Sequence, residues 1–533
     1  MHGAAYRRRL SRQGGDLLYL PAALIAVVVA LPLVYLGIRA SEAGTDVFDL
    51  LWRERTARIL RNSIVLAATV TLASVAISLP LAWLQTRSDI PLRRFWMVTT
   101  VLPLAVPSYV GAYTVIAALG PRGLLQGWLE GPFGIQRLPE IYGWFGAWLT
   151  LTLFTYPYLL LTLRTALVNL DASLEEAARS SGYGPWATFA FVTLPQLRPA
   201  LATGSLLVAL YVLSDFGAVS LLQYDVFTRA IYNQYRSAFD RTLAAGLSLV
   251  LVVLIFLILA LEAWLRGKRA YHRATSGATR PQRRVALGRW TLPALLGSAT
   301  VVLLALVMPL GVISYWLVRG VRAGQSLGFV WDAARNTAYV SLLAALVAVV
   351  AAAPLAILST RRPSRATSLI EKITYIGYAL PGIVVGLSLV FFGARYLPRL
   401  YQTLAILVVA YVIRFLPEAL GALRVALLQV SPRVEEAARG LGYSRLRVWL
   451  TVTTPLARAG VLSGAALVFL TVAKELPATM LLRPTGFDTL ALSIWSATSE
   501  GFWARGALPA LLLIVVAAIP LVPLALRDGG DRR

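Results

Sequence analysis

The sequence predicts an all-α integral membrane protein with about twelve transmembrane helices, arranged as two six-helix halves. Hydrophobic residues make up 58% of the 533 residues and charged residues only 14%, a composition too apolar for a soluble domain. Apolar runs of roughly 20 residues recur along the chain, which is the length that a helix needs to cross about 30 Å of hydrocarbon. Because a helix satisfies its own backbone hydrogen bonds in lipid, such a chain is expected to form a helical bundle.

Twelve segments have the length and apolarity of a membrane span. In the first half they lie near 17–38, 62–84, 95–119, 144–166, 199–222 and 243–265, and in the second near 292–318, 336–358, 373–396, 401–423, 459–482 and 506–526. The first is long enough to span, so we expect a retained anchor and not a cleaved signal peptide. We therefore predict a first half over residues 1–266, a cytoplasmic linker rich in Arg, Gly, Ser and Pro over 267–290, and a second half over 291–533.

The formal charge of +25 orients the chain in the membrane. Lys and Arg concentrate in alternate loops, as the positive-inside rule requires, and an even number of spans then places both termini in the cytoplasm. This pattern makes anionic lipid headgroups the expected partner of the charge, and no nucleic-acid partner is expected. The sequence has no cysteine, so disulfides and thiol chemistry are excluded.

A loop motif occurs twice in the chain, with identical spacing. The first copy has Glu176-Ala177-Ala178, three residues, Gly182, nine residues, and Val192-Thr193-Leu194-Pro195. The second copy has Glu436-Ala437-Ala438, Gly442 and Val452-Thr453-Thr454-Pro455, each 260 positions later. Both copies fall between the fourth and fifth spans of their half, on the same side of the membrane. The repeat is therefore parallel, with an axis along the membrane normal.

The repeat extends beyond this motif. Asn62-Ser63 corresponds to Asn336-Thr337, and Leu102-Pro103 corresponds to Leu380-Pro381 at an offset of 278. Because the offset falls to 260 at the motif, about 18 additional residues lie between the third and fourth spans of the first half. We assign them to an external insertion near 120–143.

Each copy of the motif predicts a short helix lying along the membrane surface. The run Glu-Glu-Ala-Ala-Arg has high helix propensity, and its acidic residues in the first turn complement the helix dipole. Arg179 or Arg439 follows within side-chain reach. Gly182 or Gly442 is expected to end the helix, since glycine adopts a left-handed conformation at the lowest cost. The helix would present small alanines and paired carboxylates to a partner.

The doubled motif resembles the signature loop of ABC-importer permeases, and both halves follow the same six-span plan over essentially the whole chain. The one departure is Thr454, where Leu is usual. The resemblance implies a type I ABC importer permease fold, with coupling loops at about 171–198 and 431–458. It also implies that two copies of an ABC ATPase subunit bind on the cytoplasmic side. The implied coupling residues are Glu176, Ala177, Ala178, Gly182, Glu436, Ala437, Ala438 and Gly442.

Further stretches are similar to the fused two-half permeases of ferric-iron importers of the bacterial inner membrane. They are Pro107-Ser108-Tyr109-Val110, Asp215-Phe216-Gly217-Ala218, Lys474-Glu475-Leu476-Pro477-Ala478-Thr479 and Phe487-Asp488-Thr489-Leu490. The resemblance implies that a periplasmic or extracellular substrate-binding protein delivers the cargo. Fused thiamine permeases share the doubled layout, so thiamine or another small solute stays open as the cargo.

The sequence contains no Gly-x-x-x-x-Gly-Lys-Ser/Thr phosphate loop. We therefore expect ATP to bind and be hydrolysed on a separate subunit, and this chain to be a transport subunit without enzymatic activity or a cofactor of its own. A secondary transporter driven by an ion gradient is the alternative of another class, but such a transporter has no need of a repeated docking loop.

Three ionisable residues in or beside the fifth spans are candidates for a pathway or gate. They are Asp215 and Glu475, which occupy equivalent repeat positions, and Lys474. Charges within a membrane are costly and point to function by default. Carboxylate oxygens suit a hard cation such as Fe³⁺. Pairing between helices without contact to the cargo explains the same residues, and the sequence assigns no metal site.

Overall fold

A computed structural model describes residues 2–42, 53–170, 172–237, 241–266 and 285–527. Within these residues the chain is almost wholly helical, and an isolated backbone bridge joins Ser88 to Val285. The predicted all-α membrane fold is confirmed. Residues 267–284 of the predicted linker and position 171 of the first coupling loop lie outside the described residues.

Twelve α-helices are described before residue 267. They are α1 (His2–Glu42), α2 (Glu54–Arg87), α3 (Arg93–Thr99), α4 (Ser108–Leu119), α5 (Leu124–Phe133), α6 (Trp144–Asn169), α7 (Ala172–Ser180), α8 (Pro185–Thr188), α9 (Leu194–Ser214), α10 (Gly217–Leu221), α11 (Phe227–Ser237) and α12 (Arg241–Arg266).

Twelve more are described after residue 284. They are α13 (Thr291–Val302), α14 (Met308–Arg322), α15 (Gly328–Arg361), α16 (Arg365–Ala379), α17 (Gly382–Tyr396), α18 (Leu404–Gln429), α19 (Pro432–Gly440), α20 (Arg445–Val448), α21 (Thr454–Ala473), α22 (Pro477–Leu482), α23 (Leu490–Ser499) and α24 (Trp503–Arg527).

Ten continuous helical stretches of the described residues are long and apolar enough to cross a membrane. One of them is α13 and α14 joined through the π-helical turn Leu303–Val307. The number rises to twelve if each of two bent pairs is one span. The bent pairs are the predicted third and ninth spans, near 95–119 and 373–396. Neither is a straight helix, because the chain bends by 98° in the first and by 104° in the second. Pro107 and Pro381 lie at the bends, and the residue before each is extended, as a residue before proline prefers.

The helix before each bend, α3 in the first half and α16 in the second, is bonded to an arginine of the fourth span. Arg164 of α6 is fully buried, and its Nη1 donates to the carbonyl oxygen of Met97 in α3 at 3.1 Å. Arg424, at the equivalent position on α18, forms an ion pair with Glu371 of α16. The repeat therefore preserves the arginine and changes its acceptor from a backbone carbonyl to a carboxylate.

The fifth spans end earlier than predicted. Helix α9 ends at Ser214, not near 222, and α21 ends at Ala473, not near 482. In each case an acidic side chain accepts a hydrogen bond from the start of the next short helix, as an N-cap residue does. Asp215 and Glu475 accept from the backbone N–H three residues later, at 3.0 and 3.2 Å.

The first of two compact units comprises Met1–Leu50, Gln234–Leu249 and Leu327–Ser493. Its centre is formed by α15, α18 and α21, the second, fourth and fifth spans of the second half, which pack against one another. Helix α1 packs against α15, α16 and α17. The Tyr35 ring of α1 lies edge-on to those of Phe392 and Tyr396, with centroids 5.8 and 6.3 Å away.

The second compact unit comprises Leu51–Asn233, Val250–Ser326 and Ile494–Arg533. Its centre is formed by the equivalent spans α2, α6 and α9. Helices α14 and α24 pack against each other, and α14 also packs against α4. Tyr113 of α4 stacks on Trp503 of α24 with a centroid distance of 5.4 Å. The units thus differ in membership from the two sequence halves, whose boundaries stay a prediction.

Glycine lets the fourth and fifth spans approach closely in both units. A Cβ on Gly204 of α9 would clash with the side chain of Leu159 and lie 3.1 Å from its Cα. A Cβ on Gly464 of α21 would lie 3.2 Å from the Cβ of Ala422 and 3.3 Å from the Cα of Ala419. Small residues at helix contacts strengthen van der Waals packing in lipid, where apolar burial offers little net gain.

The repeat that the sequence predicts is present in tertiary contacts. Asn62 donates to the carbonyl oxygen of Asp225 at 3.0 Å, and Asn336 donates to that of Asp488 at the same distance. The hydroxyl residue after each asparagine accepts a backbone N–H from the same distant segment, at 3.2 and 2.8 Å. In each half, the second span therefore holds the segment that follows the fifth span.

Candidate functional site

The two repeated loops form short helices of the predicted kind. Helices α7 and α19 have nine residues each, and Gly182 and Gly442 follow them with φ of 88° and 89°. Gly182 N donates to Arg179 O at 3.0 Å, and Tyr183 N donates to Ala178 O at 3.1 Å. The second copy has the same two bonds at 3.0 and 3.3 Å. This is a Schellman motif, in which a left-handed glycine allows the last carbonyls of the helix to be satisfied.

The face that each helix exposes is narrower than predicted. Within the Glu-Ala-Ala part of each motif, the exposed residues are Glu176, Ala177, Glu436 and Ala437. In contrast, Ala178 is half-buried and Ala438 is buried. The expectation of paired carboxylates presented to a partner is wrong, because the preceding glutamate of each copy turns inward. One carboxylate and one alanine of each motif lie on the exposed surface.

The inward glutamate of the first copy, Glu175, contacts two other elements of its unit. Its Oε1 lies 3.3 Å from Nη2 of Arg87, and Nη1 of the same arginine donates to Oε2 at 3.4 Å. The hydroxyl of Thr193 donates to Oε1 at 2.8 Å. Arg87 and Thr193 are both buried. We call these three residues the first anchor.

The second copy has the same arrangement, and we call Arg361, Glu435 and Thr453 the second anchor. Arg361 Nη2 lies 2.9 Å from Glu435 Oε1 and also donates to Val430 O at 2.9 Å. Thr453 donates to the same carboxylate oxygen at 3.2 Å. Sequence reasoning missed both anchors. A signal was present, since all three residues recur at their repeat positions, with an arginine closing the second span of each half.

A π-helical turn leads from each loop into the fifth span. The turns comprise Phe189–Thr193 and Trp449–Thr453, and each ends on the threonine of its anchor. Leu194 N bonds to Phe189 O and Thr454 N bonds to Trp449 O, so each bond spans five residues. Such turns are rare and are often found at functional sites.

Asp215, the first pathway candidate, is buried in the second unit. Its carboxylate accepts hydrogen bonds from the hydroxyl of Ser108 and from the backbone of Ala218 and Val219. Ser108 begins α4, the arm after the bend, while the two backbone donors lie in α10. The carboxylate therefore joins the bent third span to the short helix that follows the fifth span, and donors at two helix N-termini stabilise its charge.

The equivalent Glu475 lies in the first unit and has a different set of partners. It forms an ion pair with Arg414 of α18, and both side chains are nearly buried. Lys474 and Arg414 lie within electrostatic range of Glu418, which also accepts a hydrogen bond from Thr471 at 2.9 Å. Two cations and two carboxylates thus balance one another. These contacts are pairings within the protein, between helices.

The described part of the chain contains no group of three or more His, Cys, Asp or Glu side chains that could hold a metal ion. The carboxylates of Asp215 and Glu475 are instead satisfied by hydrogen-bond donors and by an arginine of the protein itself.

Two parts of the chain match one known protein family. Residues 74–270 and 335–526 both match the family described as binding-protein-dependent transport system inner membrane component. Each match contains one copy of the repeated loop.

Individual relatives match over different lengths. The Fe(3+)-transport system permease protein FbpB 2 of Haemophilus influenzae is 34% identical over 93% of this chain and 96% of its own length. The ferric transport system permease protein FbpB of Actinobacillus pleuropneumoniae is 25% identical over 90% of this chain and 72% of its own length. The molybdenum transport system permease protein ModB of Escherichia coli is 30% identical over 38% of this chain and 92% of its own length.

Proposed function

This chain belongs to the family of binding-protein-dependent transport system inner membrane components, and from that membership we propose that it is the membrane pathway of an ATP-driven importer of ferric iron. It is a multi-pass permease of the ABC importer class. The coupling residues are part of the proposal. The observation that carries them is the pair of identically capped helices, each with an exposed glutamate and alanine.

In this proposal, the capped helices α7 and α19 each dock on one copy of a cytoplasmic ATPase subunit. The docking residues are Glu176, Ala177, Ala178 and Gly182 in the first loop and Glu436, Ala437, Ala438 and Gly442 in the second. A large, strongly exposed apolar side chain follows each helix, Trp186 in the first loop and Leu441 in the second.

ATP is bound and hydrolysed on that partner, and the present chain makes and breaks no covalent bond. Closure of two ATPase subunits on ATP draws the two capped helices toward each other. Because these helices are held to the spans, the membrane helices change between inward-facing and outward-facing arrangements. The preference of ATP for the closed ATPase pair supplies the free energy.

A substrate-binding protein delivers the cargo on the opposite side of the membrane. The segment 120–143, which contains α5, is the predicted insertion and presents the exposed side chains of Trp128 and Phe133. Aromatic residues contribute strongly to many protein interfaces. With the coupling loops in the cytoplasm, both termini also lie there, and the basic loops face anionic lipid of the inner membrane.

Ferric iron is favoured as the cargo because two relatives that match nine-tenths or more of the chain are named as iron permeases. The test is uptake of radioactive iron by proteoliposomes containing this permease with its ATPase and its binding protein. We expect uptake that needs ATP and the iron-loaded binding protein, and that excess thiamine leaves unchanged. Stimulation of ATP hydrolysis by a thiamine-loaded binding protein, without stimulation by the iron-loaded one, would reject iron.

The coupling residues are tested with Glu176→Ala combined with Glu436→Ala. Loss of ATPase co-purification and of uptake is expected, because the exposed carboxylates are removed from both docking surfaces. Glu54→Ala is the matched control, since the Glu54 side chain is 89% exposed at the start of α2. Uptake at the wild-type level in the double variant would favour a transporter driven by an ion gradient.

A further inference from the structure

We call α7 and α19 the coupling helices. We propose that the two anchors are positioning elements that make each coupling helix move as one body with the second and fifth spans of its half. This inference rests on the proposed function, since it assigns the part of the chain that carries motion from the ATPase-facing surface into the membrane. The anchors comprise Arg87, Glu175 and Thr193 in one unit and Arg361, Glu435 and Thr453 in the other.

The chain holds the coupling helix α7 only at its two ends, so a contact from its side is needed for it to move together with the spans. The chain joins α7 to the membrane helices at its two ends, from α6 on one side and through α8 and the π-helical turn into α9 on the other. A nine-residue helix on such connections has little helical stability of its own. The Glu175 carboxylate links it sideways to the last residue of α2 and to the last residue of the π-helical turn. Helices α2 and α9 also pack against each other, so the three elements form one body.

The electrostatics favour a persistent contact. The side chains of Arg87 and Glu175 are 7% and 17% exposed, and those of Arg361 and Glu435 are 18% and 15% exposed. Ion pairs with so little contact with water are screened weakly by salt. Removal of one partner leaves a charge in a poorly solvated position, which costs far more than the loss of a surface pair.

The division between the two glutamates of each loop supports separate roles. Glu176 and Glu436 are exposed and available to the ATPase, whereas Glu175 and Glu435 are turned toward the spans. The same division occurs in both loops, although other exposed residues of the loops differ. The recurrence of the same three side chains in the same contacts indicates a requirement that both halves share.

The proposal predicts that coupling can be lost without loss of docking. In Arg87→Gln with Arg361→Gln, we expect the ATPase still to co-purify and uptake per ATP hydrolysed to be lower by about tenfold or more. The milder Thr193→Val with Thr453→Val removes one hydrogen bond from each anchor and should lower the same ratio by a smaller factor.

The matched control removes two arginines from exposed ion pairs. Arg58 pairs with Glu54 and Arg335 pairs with Asp332, and all four side chains are more than half exposed. Arg58→Gln with Arg335→Gln should therefore leave uptake per ATP unchanged. The same loss of coupling in this control and in the anchor variant would overturn the proposal.

Charge exchange separates positioning from simple structural support. Arg87→Glu with Glu175→Arg, and Arg361→Glu with Glu435→Arg, should restore much of the uptake per ATP. If the glutamine variants do not fold, the exchanged variants decide: folded protein with restored coupling supports the proposal, and folded protein without coupling overturns it. Wild-type coupling in folded glutamine variants, or loss of ATPase binding equal to that caused by removing both exposed glutamates, also overturns it.

A second readout does not depend on the cargo. Hydrogen exchange of the backbone amides over 172–180 and 432–440 should become faster in the glutamine variants, while exchange over α2 and α15 stays unchanged. If the wild-type complex takes up no iron, the iron assignment fails, while the exchange rates and ATPase binding still test the anchors. Unchanged exchange over both coupling helices would overturn the proposal even if uptake were lost.

Discussion

Replacement of the capping glycines by alanine should weaken docking of the ATPase through backbone conformation alone. Gly182 and Gly442 have φ of 88° and 89°, where a residue with a Cβ is strained. A Cβ built at either position meets no atom within 4 Å. A steric clash with the rest of the described chain therefore cannot cause weaker docking in Gly182→Ala or Gly442→Ala. These substitutions isolate the cost of the left-handed conformation.

The size of the effect follows from that cost. A left-handed conformation costs a residue other than glycine about 1–2 kcal/mol. If the substituted loop leaves the left-handed conformation when it is free and must regain it to dock, the same free energy is lost from binding. This corresponds to a decrease in affinity of about five- to thirty-fold per loop. Asparagine accepts the left-handed region more readily than alanine does, so Gly182→Asn should lose less affinity than Gly182→Ala.

The assay is equilibrium binding of the purified ATPase to the permease in nanodiscs, with one loop altered at a time. We expect the order glycine, asparagine, alanine from tightest to weakest binding in both loops. Gly127→Ala is the matched control, since Gly127 lies within α5 and has no atom within 4 Å of its Cβ position. Equal affinity of the alanine variants and the wild type, or weaker binding of asparagine than of alanine, would refute the reasoning.

Two further predictions concern the membrane core. Glu475→Gln should lower the free energy of unfolding by about 3–5 kcal/mol, because it removes the carboxylate paired with Arg414 and leaves two cations beside Glu418 alone. Denaturation in mixed micelles measures this, and a change below about 1 kcal/mol would contradict it. Gly204→Leu should sharply reduce the yield of monodisperse protein in size-exclusion chromatography, because the larger side chain would overlap Leu159. Gly297→Leu, at a position with no atom within 4 Å, should leave the yield unchanged, and equal yields of the two variants would argue against the close approach.

Much of the fold is predictable because lipid imposes simple requirements on sequence. The span windows, the all-α class and the parallel repeat all follow from apolar run length and from residues that recur at fixed offsets. The contacts of Asn62 and Asn336 confirm that the offsets correspond to equivalent positions. The left-handed glycines were also predictable, since few residues other than glycine serve at that position.

The bends and the early ends of the fifth spans were not predictable from apolarity. A hydropathy pattern records that a segment is apolar, and it is the same for a straight helix and for one broken at Pro107 or Pro381. The ends at Ser214 and Ala473 depend on side chains that accept hydrogen bonds from the next helix. Such competition between side chain and helix is decided by local geometry.

In the coupling loop, part of the structure follows from residue spacing and part from the packing of distant helices. Spacing and composition determined two short helices, each with a glycine cap, at equivalent positions in the two halves. Helix packing selects Glu175 as the residue that turns toward Arg87, while Glu176 stays exposed. Adjacent residues on a helix point about 100° apart, so the partner of each is set by which span lies beside the helix. That neighbour is brought there by the packing of helices distant in the chain.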